Sequence, residues 1–399
     1  MSEDVKDLLE RAVGWYEPAD RGPEGPRRRA ERHRGRQRVT AAVVAFALFA
    51  AAGAFTWGAF RHTRAGTSPG QQSSQPTVAA TIRVDGWPID FTTAGASLWV
   101  IRGDDGALLR IDAHTDQPVG NPILCSMGAV ATGADVLWAY GNNSNACLPE
   151  PTDGYRLWRI DPASGQVVGE IPVFSNPLFY MPKLAVGEGA VWVATWTERG
   201  TGDNFPGAPG FLWRIDPAGN RVTGHVRLGL DAGGLAVGEG AVWVTNASDR
   251  RPGTLFRIDP RTMRIVARIT VGQGSSDVTV GFGSIWVANS DDGTVMRIDP
   301  KTNRVVATIP VEGGVSSLTA GEGAVWTSAW DSGTVARIDP SANRVTARLQ
   351  LARPRLGLGP LEVGFGSVWV GSTDGKTIWR IDPHPTTGPA PSTRLSASP

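Results

Sequence analysis

The sequence predicts an all-β fold, a seven-bladed β-propeller of four-stranded blades that is closed by an N-terminal outer strand and preceded by a single transmembrane helix. The first observation is that one tryptophan recurs every 39–54 residues. The second is an Arg-Ile-Asp triplet after each of these tryptophans, followed by a β-branched run. Serial units of about 40 residues with short strands are typical of β-propellers. The recurring tryptophans are Trp99, Trp138, Trp192, Trp243, Trp286, Trp326 and Trp369.

The unit around Trp286 shows the four strands most clearly. Its segments are rich in Val and Ile and are separated by turn residues. Asn303 tolerates the left-handed conformation that a tight turn needs before the last segment. The unit therefore predicts one blade, and its seven repeats predict a propeller over residues 77–383. The four segments are VTVG (278–281), SIWVAN (284–289), TVMRID (294–299) and RVVATIPV (304–311).

The two ends of the repeat predict how the ring closes. No fourth strand follows the last Arg-Ile-Asp triplet at Asp382, whereas TVAATIRV (77–84) precedes the first unit and has the pattern of a fourth strand. We expect this strand to complete the last blade, because closure removes exposed sheet edges. Six or eight blades fit the count less well.

The recurring glycine run, GEGAVWV at 187–193 and 238–244, could suggest a phosphate-binding loop. Such a loop needs a helix after the glycines, but β-strand sequence follows directly here. The run is therefore predicted to be the turn between the first and second strands. The repeated Arg297 and Asp299 positions are likewise predicted to be structural, in contacts between blades and in turn caps, with the tryptophans packed between blades.

The N-terminal region predicts a membrane anchor. Residues 40–60 form an uncharged, mostly apolar stretch, long enough to span a bilayer. The arginine cluster at 27–38 precedes it, so the positive-inside rule puts the N-terminus in the cytoplasm and the propeller outside the cell membrane. A cleaved signal peptide is the alternative to this uncleaved signal anchor.

The remaining segments flank these two domains. Residues 1–39 form a cytoplasmic segment in which 3–16 are predicted to form a short amphipathic helix, which docks a cytoplasmic partner, lies on the inner membrane face or is simply solvated. Residues 61–76 are a flexible linker and 384–399 a disordered tail. The net charge of +1 gives no indication of nucleic-acid binding, and the preference for arginine over lysine is typical of GC-rich bacterial genomes, such as those of actinobacteria.

Long insertions predict where function lies. They fall in loops that emerge on one end of the propeller, which we call the looped face; the opposite end, with short turns, is the regular face. We expect the looped face to bind a protein, a peptide or an envelope glycan. The insertions lie at 141–154, 174–182, 197–210, 246–253 and 352–360.

Candidate ligand-binding residues are the aromatics Tyr180, Trp196 and Trp330 in these loops and the charged Asp90, Lys183, Asp277 and Glu362 on the first strands, which line the central channel. The alternatives are that the aromatics pack the loops onto the blades and that the charges only solvate the channel. Cys125 and Cys147 both fall on the looped face, so they are predicted to form a disulfide, with two free thiols as the alternative.

The motifs GEGAVWV, GTVMRIDP and NRVVATIPV resemble those of the YVTN/NHL-type propellers and of the related streptogramin B lyase-like superfamily, over about residues 77–383. The lyase resemblance implies a histidine base, carboxylates and Mg²⁺ at the propeller mouth. None of the five histidines falls in a mouth loop or a first strand. We therefore predict a binding, sensor or scaffold module without catalytic residues, metal or cofactor. A C–O lyase is the alternative, and carboxylate chemistry by Asp90, Asp277 or Glu362 stays open.

Overall fold

In the computed structural model, the described residues are 75–124, 127–133, 135–142, 155–174, 179–197, 210–229, 232–246, 252–311, 313–373 and 375–385. Within these ranges, no helix is long and apolar enough to cross a membrane. The predicted anchor at 40–60, the segment 1–39, and most of the linker and of the tail lie outside the described residues.

Seven four-stranded antiparallel sheets form the propeller, and we number them as blades 1 to 7 in chain order. The inner strands are β2 (Pro88–Ala94), β6 (Met127–Gly133), β10 (Phe179–Gly187), β14 (Ala232–Gly238), β18 (Ser275–Gly281), β22 (Val315–Gly321) and β26 (Leu358–Gly364). The second strands are β3 (Ser97–Arg102), β7 (Val136–Asn142), β11 (Ala190–Thr197), β15 (Ala241–Asn246), β19 (Ser284–Asn289), β23 (Ala324–Ala329) and β27 (Ser367–Ser372).

The third strands carry the Arg-Ile-Asp triplets, and the outer strands complete each sheet. The third strands are β4 (Ala107–Asp112), β8 (Tyr155–Ile160), β12 (Gly210–Asp216), β16 (Pro252–Asp259), β20 (Thr294–Asp299), β24 (Thr334–Asp339) and β28 (Thr377–Asp382). The outer strands are β5 (Ile123–Leu124), β9 (Val167–Phe174), β13 (Arg221–Gly229), β17 (Arg264–Gln273), β21 (Arg304–Pro310), β25 (Arg344–Gln350) and, for blade 7, β1 (Thr77–Arg83).

The ring closes as the sequence predicts. β1 pairs with β28 from Thr77 opposite Asp382 to Arg83 opposite Thr377, which completes blade 7. The inner strand β26 packs against β2 of blade 1, so each inner strand has neighbours on both sides. The blade around Trp286 has the four predicted strands, with β18 beginning earlier, at Ser275. One outer strand is shorter than expected: β5 has two residues, because the pairing with β4 at the isolated bridge of Pro118 with Ile111 is interrupted before Pro122, which cannot donate to a ladder.

The glycine run is a hairpin turn, as predicted. In GEGAVWV, Glu188 and Gly189 both have positive φ, at 51° and 71°, as a two-residue type I′ turn requires. The first glycine has a second role, because its carbonyl accepts a hydrogen bond from the indole N–H of Trp192 at 3.0 Å. The same bond recurs in blades 4 to 7. The run therefore positions the large buried side chain of blades 3 to 7.

The repeated arginine and aspartate hold the regular face together. Arg297 lies over the ring of Trp286, with its Cζ 5.3 Å from the centroid, and donates to the carbonyl of Pro340 in the next blade at 2.7 Å. Asp299 accepts the turn N–H of Lys301 at 2.8 Å. At the closing junction, Arg380 of blade 7 pairs with Asp116 of blade 1 at 3.0 Å. The predicted structural roles of these residues are confirmed, and the cation–π contact is an addition to them.

Candidate functional site

Four of the predicted site residues line the channel near the looped face. Asp90, Lys183 and Asp277 occupy equivalent positions on the inner strands of blades 1, 3 and 5. Glu362 lies two residues beyond the equivalent position, on β26 of blade 7. This spacing of two keeps their side chains on the same face of their strands. The channel therefore receives three carboxyl groups and one ammonium, from blades 1, 3, 5 and 7.

Asp90 and Asp277 connect neighbouring blades. Asp90 accepts the N–H of Phe91 at 3.0 Å and, through its other oxygen, the N–H of Val130 in blade 2 at 2.9 Å. Asp277 does the same with Val278 and with Leu318 in blade 6, both at 2.8 Å. Both oxygens of each carboxyl group thus satisfy backbone donors on two adjacent inner strands. These carboxyl groups have a structural role.

The protonation of these groups depends on how much protein surrounds them. Burial raises the pKa of Asp90 to about 6, opposed chiefly by the charge of Lys183. Burial also raises the pKa of Asp277, again opposed by Lys183, which places the exposed ammonium near both carboxyl groups. All three carboxyl groups are enclosed by blades yet remain partly open to the channel, so water screens them in part.

The pKa of Glu362 is strongly raised. Burial and, second, the negative charge of Asp90 raise its pKa to about 8, against the hydrogen bonds from Thr93. The Thr93 hydroxyl donates to Glu362 at 3.4 Å across the junction of blades 7 and 1. Glu362 is therefore mostly protonated at neutral pH and can exchange a proton near that pH.

The mouth of the channel is lined by a repeated backbone contact that we call the rim pair. The first residue of each pair lies three positions before the one equivalent to Asp90. The second residue lies four positions after the recurring tryptophan of the same blade. The second residue donates its N–H to the carbonyl of the first, as from Gly103 to Trp87 at 2.8 Å and from Trp330 to Gly314 at 2.9 Å. Blades 5 and 7 form the same contact, from Ser290 to Gly274 and from Thr373 to Gly357.

Two rim pairs carry exposed tryptophans. Trp330 is 53% exposed and Trp87 is 46% exposed, whereas the recurring tryptophan of every blade is buried. Each ring rests on a glycine: a Cβ on Gly357 would lie 3.0 Å from Cε3 of Trp330, and a Cβ on Gly103 would overlap the Trp87 ring. The two indoles are therefore held by backbone on one side and open on the other. Trp330 was a predicted site residue, whereas Trp87 was not.

The other predicted aromatic residues have mixed outcomes. Tyr180 and Trp196 are cross-strand partners in blade 3 and form its rim pair, so the structure brings their backbones together at the mouth. Their side chains lie outside the description, as do Cys125 and Cys147. Tyr140, another aromatic near the mouth, is fully buried and stacks on Tyr155 at a centroid distance of 5.4 Å. It does not contribute to an exposed surface.

A cavity of about 340 Å³ opens beside Trp330, between blades 5 and 6. Its walls come from the loops that follow β19 and β23, and its floor from the start of β18 and β22. Trp330 is thus both a rim residue and a wall of a pocket. The lining residues are Ser276, Ser290, Asp291, Gly314, Val315, Ser316, Trp330 and Asp331.

The described histidines lie away from the mouth. His225 is on the outer strand β13 and packs against Trp213 at 4.9 Å between ring centroids, and His384 contacts the carbonyl of Glu322 on the regular face at 3.2 Å. In the part of the chain that the structure describes, no three His, Cys, Asp or Glu side chains are grouped to hold a metal.

Comparison with known proteins supports the fold. No family model matches the chain. No curated protein matches it either. Among solved structures, virginiamycin B lyase from Staphylococcus aureus is similar with a TM-score of 0.56 and 15% identity, covering 76% of this chain and 98% of that one. The WD40 β-propeller domain of Doa1 is similar with a TM-score of 0.55 and 13% identity, covering 77% and 96%.

These likenesses define a class of protein by fold alone, because identities this low carry no function. The chain is a seven-bladed β-propeller that is structurally similar to virginiamycin B lyase. Its fold is consistent with a binding or scaffold role, since propellers of one architecture serve many functions.

Proposed function

We propose that this protein is a membrane-anchored binding module whose propeller lies outside the cytoplasm and holds a cell-envelope glycan on the looped face. The apolar stretch at 40–60 has seven arginines shortly before it and only Arg61 and Arg64 shortly after it, and this asymmetry supports the anchor and its orientation. The observation that carries the binding proposal is the pair of exposed indoles, Trp87 and Trp330, fixed at the mouth by their glycine supports.

The chemistry of the mouth favours a glycan over a protein. An indole presents a negative π face, which suits the weakly positive C–H groups on one side of a pyranose ring. The aspartates and serines of the neighbouring cavity supply acceptors for sugar hydroxyls. A cavity of about 340 Å³ is at the small end of the range for ligand sites and suits single rings of a polymer.

Retention on washed, insoluble cell-wall sacculi tests the proposal. Full-length protein in detergent should be retained, and the double variant Trp87→Ala, Trp330→Ala should be retained about tenfold more weakly, since stacking surfaces are lost. The matched control is Phe282→Ala, which removes an exposed aromatic from the regular face. Equal retention of the double variant, or no retention of the wild type, would refute the glycan proposal; capture of protein from the same material would favour a protein ligand instead.

A lyase of the streptogramin B type is the second candidate, favoured by the structural likeness and by Glu362. With a pKa of about 8, this carboxyl group could move a proton near neutral pH. Cyclic depsipeptide turnover, measured with and without Mg²⁺, decides between the candidates. Turnover that disappears in Glu362→Gln would favour the lyase, and the absence of turnover in the wild type would exclude it.

A further inference from the structure

We infer that the cavity between blades 5 and 6 is a subsite for one amine-bearing pyranose ring. This inference rests on the proposed function, because it assigns the ligand class to one part of the looped face. The cavity lies between the equivalent loops of two neighbouring blades, in which Ser290 corresponds to Trp330 and Asp291 corresponds to Asp331.

The hydroxyl groups of the cavity are committed as donors. Ser276 donates to the carbonyl of Val315 at 3.1 Å, and Ser290 to the carbonyl of Gly274 at 3.0 Å. Ser316 lies 3.1 Å from the carbonyl of Leu358 and donates to the protein in the same way. A serine whose proton is used in this way can offer a ligand only its oxygen lone pairs. The three hydroxyls therefore act as acceptors.

The charged groups are acceptors as well. Asp291 and Asp331 are exposed, and neither forms an ion pair with any residue that the structure describes. Ionised carboxylates accept hydrogen bonds and donate none. Apart from the indole N–H of Trp330, the polar side chains of the cavity are thus all acceptors, and two of them are negatively charged. Such a site matches a ligand rich in donors and positive in charge, and it repels phosphates and acidic sugars.

Trp330 adds selectivity for a ring. One part of its indole packs on Gly357, and the rest faces the cavity. An aromatic face attracts a cation as well as the apolar side of a sugar. An amine-bearing pyranose joins all three properties, namely an ammonium for the aspartates, hydroxyl donors for the serine oxygens and an apolar face for the indole.

The loops hold this arrangement without a ligand. The rim pairs fix the backbone at Ser290 and Trp330, as described above. The buried side chain of Asn289 accepts the N–H of Gly272 at 3.0 Å and donates to Thr294 at 3.1 Å, which secures the base of the loop in blade 5. The walls are therefore preorganised, so that little ordering is required on binding.

Titration of the full-length protein with glucosamine, glucose and glucuronate tests the inference, because these sugars share a ring and differ in charge. The readout is the indole N–H resonance that disappears in Trp330→Phe. We expect glucosamine to shift it at the lowest concentration and glucuronate at the highest. Asp291→Asn and Asp331→Asn should each weaken glucosamine binding about tenfold, with Glu239→Gln on the regular face as control.

Equal affinity for glucose and glucuronate, or an unchanged resonance with glucosamine, would refute the inference. A simple alkylamine that binds as well as glucosamine would also refute it, because the ring would not be recognised. The melting temperature of each variant distinguishes lost binding from lost folding. Two results together would refute the subsite alone: sacculus retention that persists in the double variant Asp291→Asn, Asp331→Asn, and a Trp330 indole resonance that glucosamine does not shift. A glucosamine response without sacculus retention would refute the proposed function alone.

Discussion

Asp277 shows how one side chain can join two elements of the ring. Its two oxygens accept backbone donors from β18 and β22, so removing them leaves N–H groups without acceptors in a part-buried place. We expect Asp277→Ala to lower the free energy of unfolding by about 1–3 kcal/mol, as for other buried donors left unsatisfied. Urea denaturation measures the loss. Asp291→Ala, an exposed carboxylate of the same blade, should change stability by no more than about 0.5 kcal/mol; equal effects of the two would contradict the assigned role.

Glu362 makes stability depend on pH. Its pKa rises from 4.5 to about 8 on folding, so the folded protein binds the extra proton between these values. The resulting stabilisation is fully present below the lower value and is lost as the pH rises through the upper one. Glu362→Gln has no such proton to lose, so its stability relative to wild type should increase as the pH rises from about 5 to about 9. We expect an increase of about 1–3 kcal/mol, because water in the channel screens the charge and reduces the effect. Parallel melting curves at each pH measure this difference, and one that stays flat with pH would contradict it.

The sequence located several site residues but not their partners. The alternation of the inner strands placed Asp90 and Asp277 in the channel, whereas their acceptor roles depend on donors of the next blade, about 40 residues away. Trp87 was missed although a signal existed. It occupies the rim position that is glycine in blades 5, 6 and 7, at Gly274, Gly314 and Gly357. The same position is Ser126, Tyr180 and Asp231 in blades 2, 3 and 4, so the signal was a large aromatic residue at a variable position of the mouth.

At the scale of elements, the type I′ turns depend on backbone conformation more than on contacts. Gly189 has φ of 71° and open space where a Cβ would stand. We therefore expect Gly189→Ala to destabilise by about 1–2 kcal/mol through the left-handed conformation alone. Chemical denaturation measures this change. The comparison is Ala190→Gly in the adjoining strand, which is the reverse substitution at a position outside the turn. No loss for Gly189→Ala would show that the turn can change type.

Strand positions were predictable because each blade repeats the same local chemistry. The two-residue turn, the buried tryptophan and the Arg-Ile-Asp triplet fix three strand boundaries in each unit, as β19 and β20 show. The outer strand has no such marker, so β5 departs from expectation where two prolines precede it. The cation–π contact of Arg297 with Trp286 was not predictable in the same way, because it depends on the register of β19 against β20, in which the two residues lie directly opposite each other.

At the scale of the molecule, the junction of β1 with β28 holds the ring closed. Deleting 77–83 should leave an unpaired edge on β28 and uncover the apolar residues beneath β1, since Ile82 is buried there. Exposed edges pair with other chains. We expect the deleted protein to self-associate and to melt at a lower temperature, as measured by light scattering and calorimetry. Deletion of 386–399, beyond the last strand, is the control, and a monomeric, fully stable 77–83 deletion would contradict the closure role.

The same junction has a consequence for the order in which the chain matures. β1 is the first strand of the propeller to be synthesised and β28 is the last, so β1 remains without its partner until the ribosome has passed Asp382. Closing so long a loop is entropically costly and slow. A product that stops before Thr377 lacks β28, so β1 stays unpaired. The open sheet edges make such a product prone to aggregation and proteolysis. Pairing of the first strand with the last therefore distinguishes finished molecules from truncated ones.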